Sequence, residues 1–241
     1  MTKNTLALAI LFQFAFSSVL LADQRGKLIF EDSFERNESQ EQTDEVGNGW
    51  NTNSKSRAAG NKQVDLKDGA MHIKMHPQAD HAVSVTHQAE FKNGSVELRF
   101  KLEGEKDILG LDFADQKFKD VHAGHLFKVT VAAKYVQIHD MKLGDMNMKY
   151  HAAKKAKSLT DEQKAFLSTT KKKVPAKLAV GQWHDLMVQI VGDKVTASID
   201  GKETASFSSQ GFAHPTKRML RLAVPRSAVV DDVKIFSLIE S

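Results

Sequence analysis

The sequence contains no cysteine. That excludes a disulfide framework, a thiol nucleophile and thiolate ligation of a metal. Aromatic side chains with a polar tip are nearly absent, with two Trp and two Tyr in 241 residues. So few rings argue against a surface platform on which neutral sugars or single-stranded nucleic acid would stack. Proline is equally sparse, at four residues, so no proline-rich linker divides the chain. There is no Gly-rich phosphate loop and no Gly-x-Ser-x-Gly nucleophile elbow, which removes nucleotide hydrolysis and the α/β-hydrolase chemistry.

What hydrophobic run there is lies at the start, in MTKNTLALAILFQFAFSSVLLADQ. Lys3 forms a short basic region, residues 6–16 an apolar one, and Leu20-Leu21-Ala22 ends on a small residue. This is the pattern of a signal peptide over residues 1–22, cleaved before Asp23, and it predicts export to the periplasm or beyond. Gln13, Ser17 and Ser18 interrupt the run, which falls short of the ~20 apolar residues of a membrane span. No transmembrane segment is expected in the mature chain, residues 23–241, which has the length of a single all-β domain.

The formal charge is +4, but it is unevenly spread. Residues 142–177 hold ten lysines against three acids, a local +7 that leaves −3 for the rest of the chain. Within this stretch SLTDEQKAFLSTTKKK places Thr160 as a helix N-cap, with Gln163 as its capping-box partner and two acids in the first turn; Pro175 is the expected stop. The stretch therefore reads as a Lys-rich insertion holding one short helix. Its basic character fits either a solvated excursion or a rim that attracts an acidic polymer. It lacks interleaved aromatics, so nucleic acid is not an expected partner.

Elsewhere apolar and polar residues alternate with period two, the pattern of half-buried strands. Met71, Ile73 and Met75 oppose His72, Lys74 and His76; Val96, Leu98 and Phe100 oppose Glu97, Arg99 and Lys101. The same holds for 109–113, 127–131, 136–139 and the closing segments 186–190, 194–199, 202–207, 219–224 and 229–238. Asp68-Gly69 and Asp200-Gly201 are the turns between paired runs. The expected fold is all-β: a two-sheet antiparallel β-sandwich of jelly-roll type, interrupted by the insertion at 142–177.

The order of these segments resembles the concanavalin A-like lectin/glucanase superfamily, in its laminin-G-like and 3-keto-disaccharide-hydrolase-like branches. LIFEDSFER resembles the opening Phe-x-Asp-x-Phe strand. GNGW followed by VDLKDGAMHI resembles the next element, KNGSVELRFKLE a strand crossing the sheet, GQWHDLMVQIVGDKVTASIDGKE the Trp-x-x-Leu strand with its hairpin, and RLAVPRSAVVDDVKIFSL the closing pair. The resemblance spans residues 28–239. It implies two face-packed sheets, one of which often holds glycan. Polysaccharide or cell-envelope glycan is then the expected partner, and no cofactor is expected.

Retaining glucanases of the superfamily carry Glu-x-Asp-x-x-Glu, which sets two carboxyl groups ~5–5.5 Å apart across one sugar bond. No segment here has that motif. An alginate-type lyase is half matched by Glu97 and Arg99 in VELR and by Gln137 and His139 in VQIHD, but no tyrosine stands ready as proton donor. The candidate glycan-binding residues are Arg99, Asp112, Lys128, Gln137 and His139, all outward by alternation. Trp183, heading an apolar strand, is expected in the core; Trp50, in a loop, is more open to a sugar-stacking role. No metal site is expected, because His72 and His76 lie about 13 Å apart on a strand and the other histidines are dispersed. Asp231-Asp232, or Asp112 with Asp115, are the only acidic pairs that suggest calcium. The expected function is a secreted glycan-binding protein that favours acidic polysaccharide, with a hydrolase of the 3-keto-disaccharide type as the alternative.

Overall fold

A computed structural model describes residues 26–238 of the chain; the expected signal peptide lies outside them. The alternation resolves into two antiparallel sheets. The first runs β13 (Lys202–Ser208), β12 (Lys194–Ile199), β11 (Trp183–Val191), β6 (Gly94–Lys101), β15 (Ser227–Ser237), β4 (Ala70–Lys74) and β3 (Val64–Lys67), with β1 (Lys27–Asp32) also paired to β15. The second runs β10 (Lys171–Pro175), β9 (Tyr135–Asp140), β8 (His125–Ala132), β7 (Ile108–Ala114), β14 (Lys217–Val224), β5 (Val83–Phe91) and β2 (Asn51–Thr52). Neighbours in space are mostly distant in sequence, as a jelly roll requires.

The inner faces meet in one core. Val96, Leu98, Phe100, Leu186, Val188 and Ile190 of the first sheet oppose Leu109, Leu111, Phe113, Phe127, Val129 and Ile138 of the second. Phe113 stacks on Phe127 at 4.6 Å between centroids, and Phe212 meets Phe127 edge-on. Burying each such side chain stabilises by roughly 1.5–3 kcal/mol. The Asp68-Gly69 turn forms as expected, both residues taking positive φ (54° and 69°), the geometry that matches strand twist in tight hairpins.

The Phe-x-Asp-x-Phe segment closes the sandwich at its start. Asp32 accepts hydrogen bonds from the Trp50 indole at 2.8 Å and the Phe34 amide at 2.9 Å, and a two-point contact from Arg36 at 2.7 and 2.9 Å. Burial opposes its charge, but these donors outweigh it and hold the Asp32 pKa below the usual aspartate value. Trp50 is therefore buried beside Phe30 and Phe34. Trp183, expected in the core, is instead 37% exposed. It pairs with Lys101 on the outer face of β11; its alternation phase is that of Asp185 and Met187, not of Leu186 and Val188.

The insertion also differs from expectation. It holds two helices, α1 (Met148–Lys155) and α2 (Asp161–Thr169), the second opened by the Thr160–Gln163 capping box as the sequence indicates. Pro175 does not stop a helix: it ends strand β10, in which Lys171, Lys172 and Lys173 form the edge of the second sheet. Lysines and proline on an edge strand block pairing with another chain. Asp32→Ala should leave the Trp50 and Phe34 donors without their acceptor and lower unfolding stability by about 3 kcal/mol, read from the urea midpoint followed by tryptophan emission.

Candidate functional site

The inner faces use every second residue, so the second sheet's outer face collects the polar ones. Direct cross-strand pairing lines up Thr86, Arg221, Asp112, Lys128, His139 and Lys171 over six strands. One pair along the strands, a second row holds Ser84, Ala223, Gly110, Thr130, Gln137 and Lys173. Alanine and glycine make the middle of this second row a low floor. A Cβ on Gly110 would lie 3.2 Å from Lys128 Cδ and 3.3 Å from the Ala223 carbonyl oxygen, so a side chain there would crowd the lysine stem.

Two imidazole–carboxylate pairs stand on this face. His125, at the start of β8, has Nδ1 2.6 Å from Asp112 Oδ2. Arg221 Nη1 reaches the same imidazole at 2.8 Å and lies 3.5 Å from Asp112 Oδ2. Asp112 is nearly buried, and its Oδ1 has no hydrogen-bond partner among the described residues. An unsatisfied buried carboxylate oxygen is costly, and here it lies in the middle of the polar row.

The second pair joins sheet and insertion. His139 Nε2 lies 3.5 Å from Asp145 Oδ1, and Lys154 of α1 holds Asp145 Oδ2 at 2.7 Å. Burial lowers the His139 pKa below its ordinary value, with Asp145 raising it in part and Lys171 and Lys128 lowering it further. Burial works against the Asp145 carboxylate, but Lys154 and His139 outweigh it and its pKa also falls. The result is a neutral imidazole beside an ionised carboxylate at neutral pH. Such an imidazole can accept a proton.

The insertion is fastened down by backbone bonds: His122 N to the Met146 carbonyl, Met148 N to that of Asp120, and Lys142 N to that of Leu126. The loop passes so close to the sheet that a Cβ at Gly144 would sit 2.4 Å from the Asp140 carbonyl oxygen and 3.2 Å from His139 Nε2. His151 of α1 stacks on His122 with centroids 4.1 Å apart. The arm is thus a wall of the site.

Of the five sequence candidates, Asp112, Lys128, Gln137 and His139 share this face. Arg99 does not: it stands on β6 in the first sheet, across the core. Alternation tells outward from inward and not which sheet a strand joins. The lyase-like half-site fails for the same reason, with Glu97 and Arg99 on one sheet and Gln137 and His139 on the other. Arg221, His125 and Asp145 were missed. Arg221 is legible in RMLRLAVPR as the polar residue between Leu220 and Leu222. His125 is not, because a register shift at Ala114 brings it onto the face out of phase. His122 and His125, close in sequence, are joined by His151 of α1 at one end of the sheet. The sole carboxylate group compact enough for a cation among the described residues, Glu38, Glu41 and Asp65, surrounds the Lys62 ammonium at 2.6–2.8 Å.

Residues 42–227 match a family described as a 3-keto-alpha-glucoside-1,2-lyase-like domain. Among solved structures, the laminarinase from Rhodothermus marinus superposes with a TM-score of 0.58 at 11% identity, covering 89% of this chain and 98% of that one. Porphyranase B from Zobellia galactanivorans gives 0.57 at 14%, covering 89% and 93%. The carbohydrate binding module CBM66 from Bacillus subtilis gives 0.51 at 13%, covering 78% and 96%. At these identities the likeness is one of fold. No curated protein matches the chain.

Two outcomes follow from the His139 pair. His139 should titrate below the ordinary 6.5, and Asp145→Asn should move it lower still, both read by histidine ring NMR. A group whose folded pKa lies under its unfolded value stabilises the fold when neutral. That contribution is whole above about 6.5 and is lost as pH falls through the folded value, which a urea series from pH 7.5 to 5 would record.

Proposed function

Because the chain belongs to the 3-keto-alpha-glucoside-1,2-lyase-like domain family, we propose that the outer face of the second sheet binds a glycoside oxidised at C3 and eliminates its C1 substituent. The observation that carries this reading is the row itself: two imidazole–carboxylate pairs with Lys128 between them and Arg221 on the far side of Asp112. A ketone at C3 acidifies the hydrogen on C2. Neutral His139 takes that proton as base, and charge moves onto the ketone oxygen, where a fixed cation stabilises it. Arg221 and Lys128 are the cations placed for that. The electron pair then forms a C1=C2 double bond as the C1–O bond breaks, and the departing oxygen takes a proton. That proton comes from water, because both ring nitrogens of His125 are engaged by Asp112 and Arg221.

The face also carries a surplus of positive charge. Lys128, Lys171, Lys173 and Arg221 stand against Asp112 and Asp145, and the arm adds further lysines. This supports a preference for glycans bearing carboxylate or sulfate groups, drawn in by a salt-sensitive field. Export through the N-terminal leader is part of the same reading, since an envelope or extracellular polymer is where such a substrate is met.

The test is turnover of 3-keto-glucosides against the same glycosides unoxidised, with the unsaturated keto-sugar detected by mass spectrometry. The oxidised compounds alone should react. His139→Ala should lower kcat by about 10²–10⁴-fold with the melting temperature retained. Lys171→Ala with Lys173→Ala should weaken retention of acidic polysaccharide at low salt and leave turnover of a neutral substrate unchanged. Equal turnover of unoxidised substrate, or none of either, would overturn the reading.

A further inference from the structure

A second polar depression lies on the outer face of the first sheet, across the core from the site above. It is an open hollow of about 380 Å³ lined by residues of β6, β11, β12 and β15, with Arg99, Asp185, Asp232, Glu97 and Lys234 among them. That volume is within the ~300–1,000 Å³ of small-ligand pockets. Asp231, Arg99 and Asp185 face one another directly across three strands, and Trp183 stands opposite Lys101 one pair further on.

We propose that this depression is a binding site for a neutral saccharide, separate from the reactive face. Sugars are recognised by hydroxyls that accept from a cationic donor and donate to a carboxylate at the same time, so donor and acceptor must stand side by side. Arg99 meets that need. Its guanidinium lies 3.3 Å from Asp231, 3.8 Å from Asp232 and 3.9 Å from Asp185. Contacts of that length do not occupy five N–H donors, and the side chain is 41% exposed.

The acceptor beside it is equally available. The Asp185 side chain is 79% exposed, but its backbone is rigid: its amide donates to Asp200 Oδ1 at 2.9 Å, and the Asp200 amide donates to its carbonyl at 2.8 Å. Two residues earlier on the same face, Trp183 borders the depression. Arg99 and Lys101 lie over its ring, 4.9 and 5.4 Å from the centroid, and its remaining exposed part is an apolar surface for pyranose C–H groups. Ring, donor and acceptor thus stand on two neighbouring strands of one sheet face.

Charge selects the ligand class. Glu97, Asp185, Asp231 and Asp232 outnumber Arg99, Lys101 and Lys234, so an acidic polymer is disfavoured here. The two faces would then hold different parts of a mixed glycan: the lysine-bordered face its reactive, acidic portion, this one a neutral portion.

The measurement is retardation of the chain in native gels containing laminarin, dextran or mannan. Retardation by at least one is expected, with Trp183→Ala and the near-isosteric Asp185→Asn each weakening it about tenfold while His139→Ala leaves it unchanged. Should Trp183→Ala fail to fold, Asp185→Asn decides alone, its carboxylate being exposed. No retardation by any of the three polymers, or retention undiminished in the first-sheet variants, would overturn the proposal. Loss of retention in His139→Ala would do so too, by placing the sugar on the other face.

Discussion

The inner faces of two antiparallel sheets must be buried against each other, and everything on the surface of this protein follows from that constraint. With a side-chain period of two, each residue committed to the core places its neighbours on an outer face. Leu109, Leu111 and Phe113 go in and Gly110 and Asp112 come out; Val136 and Ile138 go in and Gln137 and His139 come out. Register then sets which outward residues are neighbours. The row from Arg221 to Lys171 is therefore a property of strand pairing, and no loop has to place it. Groups fixed in this way keep their separations without paying for order when a ligand arrives.

The insertion turns a polar sheet face into a site. Without it, His139 would be a strand histidine without the Asp145 carboxylate beside it. The close pass at Gly144 and the backbone bonds to the loop before β8 bring Asp145 and α1 over it, so burial and a carboxylate act on one imidazole together. The lysines of the arm and of β10 do two jobs. They keep the sheet edge from pairing with another chain, and they set the sign of the field over the face.

The fold was largely legible, because alternation, Asp-Gly turns and the Thr160 capping box are local signals with local causes. The site was half legible. That Asp112, Lys128, Gln137 and His139 share one outer face follows from alternation, because outwardness is a local property too. Arg99 was grouped with them wrongly because sheet membership is a long-range one: β6 pairs with β11 and β15, far along the chain. The side chains that contact Asp112 and His139 on this face are hidden from the sequence for similar reasons. His125 reaches Asp112 through a register shift, and Asp145 reaches His139 from a segment that reads as solvated. Trp50 and Trp183 make the same point in reverse, since a loop position proved buried through one hydrogen bond to Asp32 and a strand position proved exposed through its phase.

The proposed reaction rests on proton abstraction next to a ketone by the second sheet's outer face. Its most direct test is the fate of the C2 hydrogen of a 3-keto-glucoside in D2O, followed by proton NMR with the parent chain and with His139→Ala. Loss of that hydrogen is expected at an enzyme-dependent rate in the parent and at the buffer rate in the variant. Cleavage of the glycoside with the C2 hydrogen retained in the product would contradict the proposed reaction.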